Sequence, residues 1–202
     1  LRDTLERSIA LASALGDRGA MLSALVGLWS SQFVNGDATA AHRTASRALD
    51  LVDAGSELAG PAHFALGGSE LSLGRPAEAL RHLDRSAEVG GSHPLSVGTR
   101  SDVHGRAFAA HAHWLLGHDD TALATCRDAI DLARSTGGSY SLTVALGYGA
   151  ITHQLRGDRD ALLATVAELR ELCARFDFTY YREWAMVLDG WVISAPTTNV
   201  EI

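Results

Sequence analysis

Apolar residues recur along this chain at intervals of three and four, the period of a helix with one buried face, and no stretch of strict alternation reads as a strand. Turn signals break the pattern regularly: "LGDRG" at 15–19, "NGD" at 35–37, "DAGSE" at 53–57, "LGRP" at 73–76, "VGGSHP" at 89–94, "LGHDD" at 116–120, "STGGS" at 135–139, "RGDRD" at 156–160 and "RFDF" at 175–178. Between them lie about ten helical segments of roughly 13 to 18 residues. Glycine after one helix and Asp or Ser before the next match the capping preferences of helix ends.

The breaks repeat. Gly36, Gly74, Gly117 and Gly157 are separated by 38, 43 and 40 residues. Five residues after each stand Ala41, Ala79, Ala122 and Leu162; nine after, Ala45, Leu83, Cys126 and Val166. Twelve after stand Ala48, Ser86, Ala129 and Leu169; sixteen after, Val52, Gly90, Ala133 and Cys173. Steps of four, three and four trace one helix face, and small residues dominate it where two helices must approach closely. The N-terminal segment joins the register: Leu5 falls on Cys126, Ile9 on Ile130, Ala12 on Ala133 and Gly16 on Gly137. The chain therefore opens on the second helix of a repeat.

"ALGGSELSLGRPAEAL" at 65–80, with Leu66-Gly67, Gly74 and Ala79, resembles the tetratricopeptide (TPR) pattern, here with longer helices. Residues 97–193 resemble more narrowly the helical-repeat region of large bacterial signalling ATPases, through "HAHWLLGHDDTALATCRDAIDLAR", "SYSLTVALGYGAITHQLRGD" and "FDFTYYREWAMVLDGWVI". In that family an ATPase module is joined to nucleotide-cyclase domains or to a LuxR-type or SARP-type DNA-binding domain. Such proteins continue into another second helix after "GWVI", whereas "SAPTTNVEI" follows here. Periodicity and resemblance together predict an all-α, right-handed TPR-like solenoid of about five helical hairpins over 1–193, the first and last incomplete. A tail at 194–202, disordered or a cut end, follows.

Composition narrows the chemistry. The chain has 202 residues, 47% hydrophobic and 20% charged, which suits a globular array rather than a disordered segment. Its net charge of −7 has no basic cluster to set against phosphates, so direct nucleic-acid binding is not expected. No apolar run is long enough for a membrane helix. The absence of a signal peptide and a start at Leu1 point to a piece of a longer protein, and the cysteine usage to a cytoplasmic one. All 17 basic residues are arginine, a usage that suggests a GC-rich, actinobacterial genome. Without lysine there is no P-loop lysine, pyridoxal Schiff base or lysine general base. Cys126 and Cys173 form no CxxC and fit a reduced compartment.

The stretch "HAHWLLGHDDTALATCRDAIDLA" at 111–133 looks reactive, but the repeat register accounts for most of it. Cys126 and Cys173 occupy apolar slots and read as core. His118 sits beside the turn glycine, in a slot that holds Asp37, Arg75 and Asp158 elsewhere. His113 shares a polar, partly exposed slot with Gln32, Glu70 and His153. His104 and His111 lie too far apart along a helix to share a metal, so neither a metal nor a cofactor is expected. "GYGAIT" at 147–152 follows no strand and is no dinucleotide fingerprint, and "RGD" at 156–158 is an inter-helix turn.

The TPR resemblance implies that the first helix of each repeat lines a concave groove. Phe33, Phe64, His104, Phe108, His111, Trp114, Tyr148 and Gln154 are then the candidate groove residues. An aromatic and histidine lining suits a protein or peptide partner or a small-molecule effector. Tyr180, Tyr181, Trp184 and Trp191 in the last helix are candidates for a homodimer contact or for capping the array. The implied role is a non-catalytic sensor or interaction module in a multidomain transcriptional regulator or signalling ATPase. The alternative is a freestanding peptide-binding scaffold, although a clamp for a C-terminal carboxylate lacks lysine and has only Asn35 and Asn199.

Overall fold

A computed structural model describes residues 1–53, 55–56, 58–89 and 100–194. These form ten α-helices and no β-strand. In chain order they are α1 (Arg2–Leu15), α2 (Arg18–Val34), α3 (Ala38–Asp50), α4 (Ala59–Ser72), α5 (Pro76–Val89), α6 (Ser101–Leu115), α7 (Asp119–Thr136), α8 (Ser139–Arg156), α9 (Arg159–Phe176) and α10 (Thr179–Ser194). Each packs on its neighbours in sequence, as in a row of antiparallel hairpins. The even-numbered helices also touch one another in series, α2 on α4, α4 on α6, α6 on α8 and α8 on α10. The odd-numbered helices make no such close backbone approach among the described residues; long side chains span the gap, as where Arg134 of α7 meets Glu168 of α9 at 2.8 Å. Two layers of which only one has its backbones in close lateral contact must curve toward that layer. The even helices are therefore the inner wall of an all-α solenoid, the odd ones its outer wall.

The repeat glycines make the corners. Gly36, Gly74, Gly117 and Gly157 all adopt φ between +72° and +80°, where an L side chain is strained. At each corner the glycine N–H donates to the carbonyl three residues back: Phe33, Leu71, Trp114 and Gln154, at 2.9–3.0 Å. The next residue's N–H donates to Gln32, Glu70, His113 or His153 at 2.9–3.0 Å, completing a Schellman motif. Asp37 and Asp158 then serve as N-caps of the following helix, accepting from Ala40 N–H at 3.0 Å and Ala161 N–H at 3.2 Å. The "RGD" at 156–158 is accordingly a helix end, a left-handed glycine and a helix cap.

The outer helices present the small-residue face that the register predicts. Ala41, Ala45, Ala48, Ala79, Leu83, Ser86, Ala122, Cys126, Ala129, Ala133, Leu162, Val166, Leu169 and Cys173 are all buried. Ser86 is tolerated there because its hydroxyl donates to the Gly60 carbonyl at 2.9 Å, with the Ser101 carbonyl at 3.2 Å. Val52 is an exception: α3 ends at Asp50, so Val52 lies beyond the helix and is only half-buried. Gly90, the fourth-row partner expected in the next repeat, and the tail from 195 onward lie outside the described residues. At the N-terminus, Gly16 and Gly137 share a left-handed φ of 69° and 72°, and Ile9 and Ala12 are buried as the register requires.

The polar slot four residues before each corner glycine is more enclosed than the sequence suggests. Glu70 and His153 are buried rather than partly exposed. Each is covered from across its own corner: Arg75 lies 3.1 Å from Glu70, and Asp158 lies 4.0 Å from His153. His42 of α3 meets the other Glu70 oxygen at 2.9 Å. Burial works against the Glu70 carboxylate, but hydrogen bonds from His42 and Arg75 hold it below the ordinary range. Sequence spacing shows that the slot is polar; it does not show the partner folded over it.

Candidate binding site on the inner wall

The inner helices α4, α6 and α8 are buried on most of their circumference, so periodicity does not single out one face of them. In α2, Val26, Trp29, Ser30, Phe33 and Val34 turn toward the inside of the curve; Phe64 of α4 and His104 and Phe108 of α6 continue the surface. Tyr140 and Tyr148 of α8 and Tyr180 and Tyr181 of α10 complete it. Together these twelve residues line a partly open cavity of about 190 Å³ to which every inner helix contributes. All four tyrosines of the chain meet here, and no Arg, Asp or Glu is among the lining residues.

The rings form a continuous path. Trp29 packs edge-on to Phe64 at 5.2 Å, Phe64 edge-on to Phe108 at 5.2 Å, and Phe108 against Tyr148 at 4.3 Å. Tyr148 reaches Trp184 at 5.3 Å, and Trp184 reaches Tyr181 at 5.4 Å. Edge-to-face geometry of this kind fixes ring orientations beyond what burial alone would do. Trp29 also donates its indole N–H to Ser69 Oγ at 2.8 Å, which anchors α2 to α4. Val34, 59% exposed, and Tyr180, 48% exposed, form the rim; Trp29, Phe64, Phe108 and Tyr181 are buried and form the floor.

His104 is the one imidazole on that floor. It is 7% exposed, stacks on Phe64 at 4.8 Å, and neither ring nitrogen has a hydrogen-bond partner among the described residues. Burial pushes its pKa down to about 3, so the ring is neutral at physiological pH. Burial also raises the hydroxyl pKa of Tyr140, Tyr148 and Tyr181 above the usual value, with neighbouring tyrosines adding to the effect. The cavity thus offers apolar ring surface and neutral hydroxyls, while both nitrogens of the neutral His104 ring lie buried without accessible surface.

Of the eight candidate groove residues, Phe33, Phe64, His104, Phe108 and Tyr148 line the cavity together. His111 does not: its Nε2–H donates to the Tyr148 carbonyl at 3.0 Å, tying α6 to α8. Trp114 and Gln154 sit half-buried in the last turn of their helices, away from the cavity lining. The four aromatic residues proposed for a dimer contact divide. Tyr181 is buried in the cavity floor, Tyr180 stands on its rim, and Trp184 and Trp191 pack onto the C-terminal core. The outward face of α10 consists instead of Met186, Val187 and Ile193.

Trp29 and Tyr140 are cavity residues that sequence reasoning missed, although both signals were present. Trp29 precedes Phe33 by one helical turn. The corner at Asp177 (φ 55°) repeats the one at Gly137, forty residues earlier, which places Tyr180 in register with Tyr140. A second aromatic pair lies elsewhere, where His63 and His82 hydrogen-bond through their Nδ1 atoms at 3.0 Å. Burial, then the neighbouring His82, pushes His63 down to about 4. Among the described residues no group of three or more His, Cys, Asp or Glu side chains is arranged to hold a metal ion. No described helix is long and apolar enough to cross a membrane.

Solved structures with the same architecture exist. Kinesin light chain-like TPR-like repeats from Podosopora anserina superpose with a TM-score of 0.53 at 15% identity, covering 88% of this chain and 88% of that one. A single-substitution variant of the same repeats gives 0.56 at 16% identity, covering 87% and 86%. At this identity the similarity is one of fold: the chain has a TPR-like helical-repeat architecture. No family model and no curated protein sequence matches it.

Proposed function

We propose that this chain is a non-catalytic recognition module whose inner wall binds a protein, a peptide or a small effector. The observation that carries the proposal is the convergence of aromatic residues from all five inner helices on one cavity without a charged group. Concave sites with apolar and aromatic linings and a few polar groups are the usual form of binding sites. Occupancy of a cavity built by every repeat would favour one curvature of the array over others. A ligand that binds two curvatures unequally shifts their populations and any output domain coupled to them. That behaviour suits the regulatory region of a cytoplasmic multidomain transcriptional regulator or signalling ATPase, the family that residues 97–193 resemble. The buried, unreactive environment of both cysteines and the absence of lysine support the non-catalytic reading.

A thermal-shift screen of metabolites and peptides tests it, followed by Tyr148→Ala on the inner wall and Arg127→Ala on the outer helix α7. Hits should be lost in the first variant and retained in the second. Hits that bind both variants as tightly as wild type contradict the assignment of the inner wall. Turnover of any substrate contradicts the non-catalytic reading.

A further inference from the structure

The two ends of the array fit one another. Each even-numbered helix from α2 to α8 pairs with the odd-numbered helix that follows it, which completes a repeat. Among the described residues α10 has no such following helix and α1 no such preceding one. We propose that a second copy of this chain supplies both: α10 of one copy packs on α1 and α2 of the next, so that copies stack head to tail and continue the solenoid.

Met186, Val187, Gly190 and Ile193 lie forty residues after Leu146, Gly147, Ala150 and His153 of α8, all four of which are buried. In α10 the same slots are open. Met186, Val187 and Ile193 are 60–82% exposed, and a Cβ on Gly190 would meet nothing within 4 Å. A helix that only caps a solenoid carries a polar outer face, whereas this face is apolar. At the other end, Leu1 and Ser8 of α1 are exposed where Ala122 and Ala129 of α7 are buried. An open groove of about 510 Å³ runs between α1 and α2, with Leu1, Leu5, Ser23, Gly27, Ser31 and Val34 in its walls.

Contacts inside the chain fix how the two faces meet. Gly67 of α4 receives Leu83 of α5, whose Cγ lies 2.7 Å from the Cβ an alanine would carry there. In the corner register Gly190 holds the slot of Gly67 and Leu5 that of Leu83, so Leu5 of the next copy fits over Gly190. Gly147 of α8 lies against Tyr181 and Trp184 of α10; the same slots set Val187 against Ala20 and Ser23 of the next copy, both exposed. A small residue under two large ones becomes a larger residue over two small ones, so the joint can close. Glu183, one turn before Met186, then falls near the start of α2, where Arg18 carries the opposite charge. The joint thus repeats the apolar interface that already holds consecutive repeats together.

Because each end presents a different face, the contact is heterologous and stacks grow without a fixed size. Sedimentation of the 202-residue chain tests this between about 5 and about 500 μM. The weight-average mass should rise with concentration past that of a dimer. Val187→Glu and Ser23→Glu should each raise the dissociation constant at least about a hundredfold, since either buries an unpaired carboxylate in the joint. Both positions are exposed in the single chain, so circular dichroism melts at low concentration should be unchanged. Mixed one to one, the two variants should form a heterodimer and nothing larger, because each retains the end that the other has lost. A wild type that stays monomeric up to about 500 μM overturns the inference and leaves the ends to another protein or to further helices of a longer chain. Association lost in Val187→Glu but kept in Ser23→Glu overturns it in favour of a symmetric contact between two α10 helices. Two monomeric variants that recover no heterodimer on mixing refute the head-to-tail joint as well.

Discussion

Acidification should unfold this protein through His104 more than through an average histidine. The ring is buried against Phe64 with both nitrogens unpartnered, and burial lowers its pKa from 6.5 to about 3. The folded state therefore holds the neutral ring, while the unfolded chain protonates near 6.5. Stability from this group is complete above pH 6.5 and is lost as pH falls from 6.5 toward 3. Within that window each pH unit removes about 1.4 kcal/mol, so a move to pH 4.5 costs on the order of 3 kcal/mol. That is a large part of a typical domain stability of about 5–15 kcal/mol. Other histidines, His63 foremost, push in the same direction, so the contribution must be isolated by substitution. His104→Phe keeps a flat ring on Phe64 and removes the titration. At pH 7.5 it should be neutral or slightly stabilising, since no hydrogen bond is lost. Urea denaturation at pH 7.5 and 4.5 decides the matter: wild type should lose about 3 kcal/mol more than the variant. Equal losses in the two proteins would refute the reasoning, because the ring would then be solvated or paired in the folded state.

Three further substitutions probe the packing of the array. Gly67→Ala should destabilise by about 1–2 kcal/mol in urea melts: the new Cβ would sit 2.7 Å from Leu83 Cγ and 3.2 Å from the Ala79 carbonyl. That overpacking exceeds the roughly 0.5–1 kcal/mol that alanine gains over glycine in a helix. Cys126→Ser should cost about 1–3 kcal/mol, because the buried hydroxyl loses its hydration even with the Thr152 side chain within reach. With its pKa pushed up to about 11 by burial, the Cys126 thiol of the wild type should resist a disulfide reagent at pH 8 until the chain unfolds. Asp177→Gly should stabilise by up to about 1 kcal/mol, because Asp177 holds φ 55° where the equivalent corners use Gly16 and Gly137. The contact it gives up, to Arg182 at 3.4 Å, is exposed and contributes little.

The outer wall was legible in the sequence because each of its helices buries one face. Ala41, Ala45 and Ala48, or Leu162, Val166 and Leu169, recur at fixed distances from a corner glycine, and helix geometry alone converts that spacing into a packing face. The corners were legible for a related reason, since a Schellman turn needs a left-handed residue and Gly36, Gly74, Gly117 and Gly157 supply it. The inner wall resisted the same reasoning. Nearly the whole of α4 from Ala59 to Glu70 is buried, so periodicity cannot say which side faces the cavity and which faces the next repeat. Phe33 and Trp114 hold the same corner slot, yet only Phe33 reaches the cavity. What separates them is position along the curve, a property of the assembled array. Tyr181 illustrates the converse: an aromatic residue in a terminal helix suggests an outer surface, but curvature turns it inward against Gly147, with 3.0 Å between its ring and the Cβ an alanine would carry there.

The central claim is that recognition happens on the even-numbered helices. Hydrogen exchange followed by mass spectrometry, with and without a saturating screening hit, tests it most directly. The account predicts added protection in α2, α4, α6, α8 and α10, with α1, α3, α5, α7 and α9 unchanged. Protection confined to the odd-numbered helices would place binding on the outer wall and contradict it.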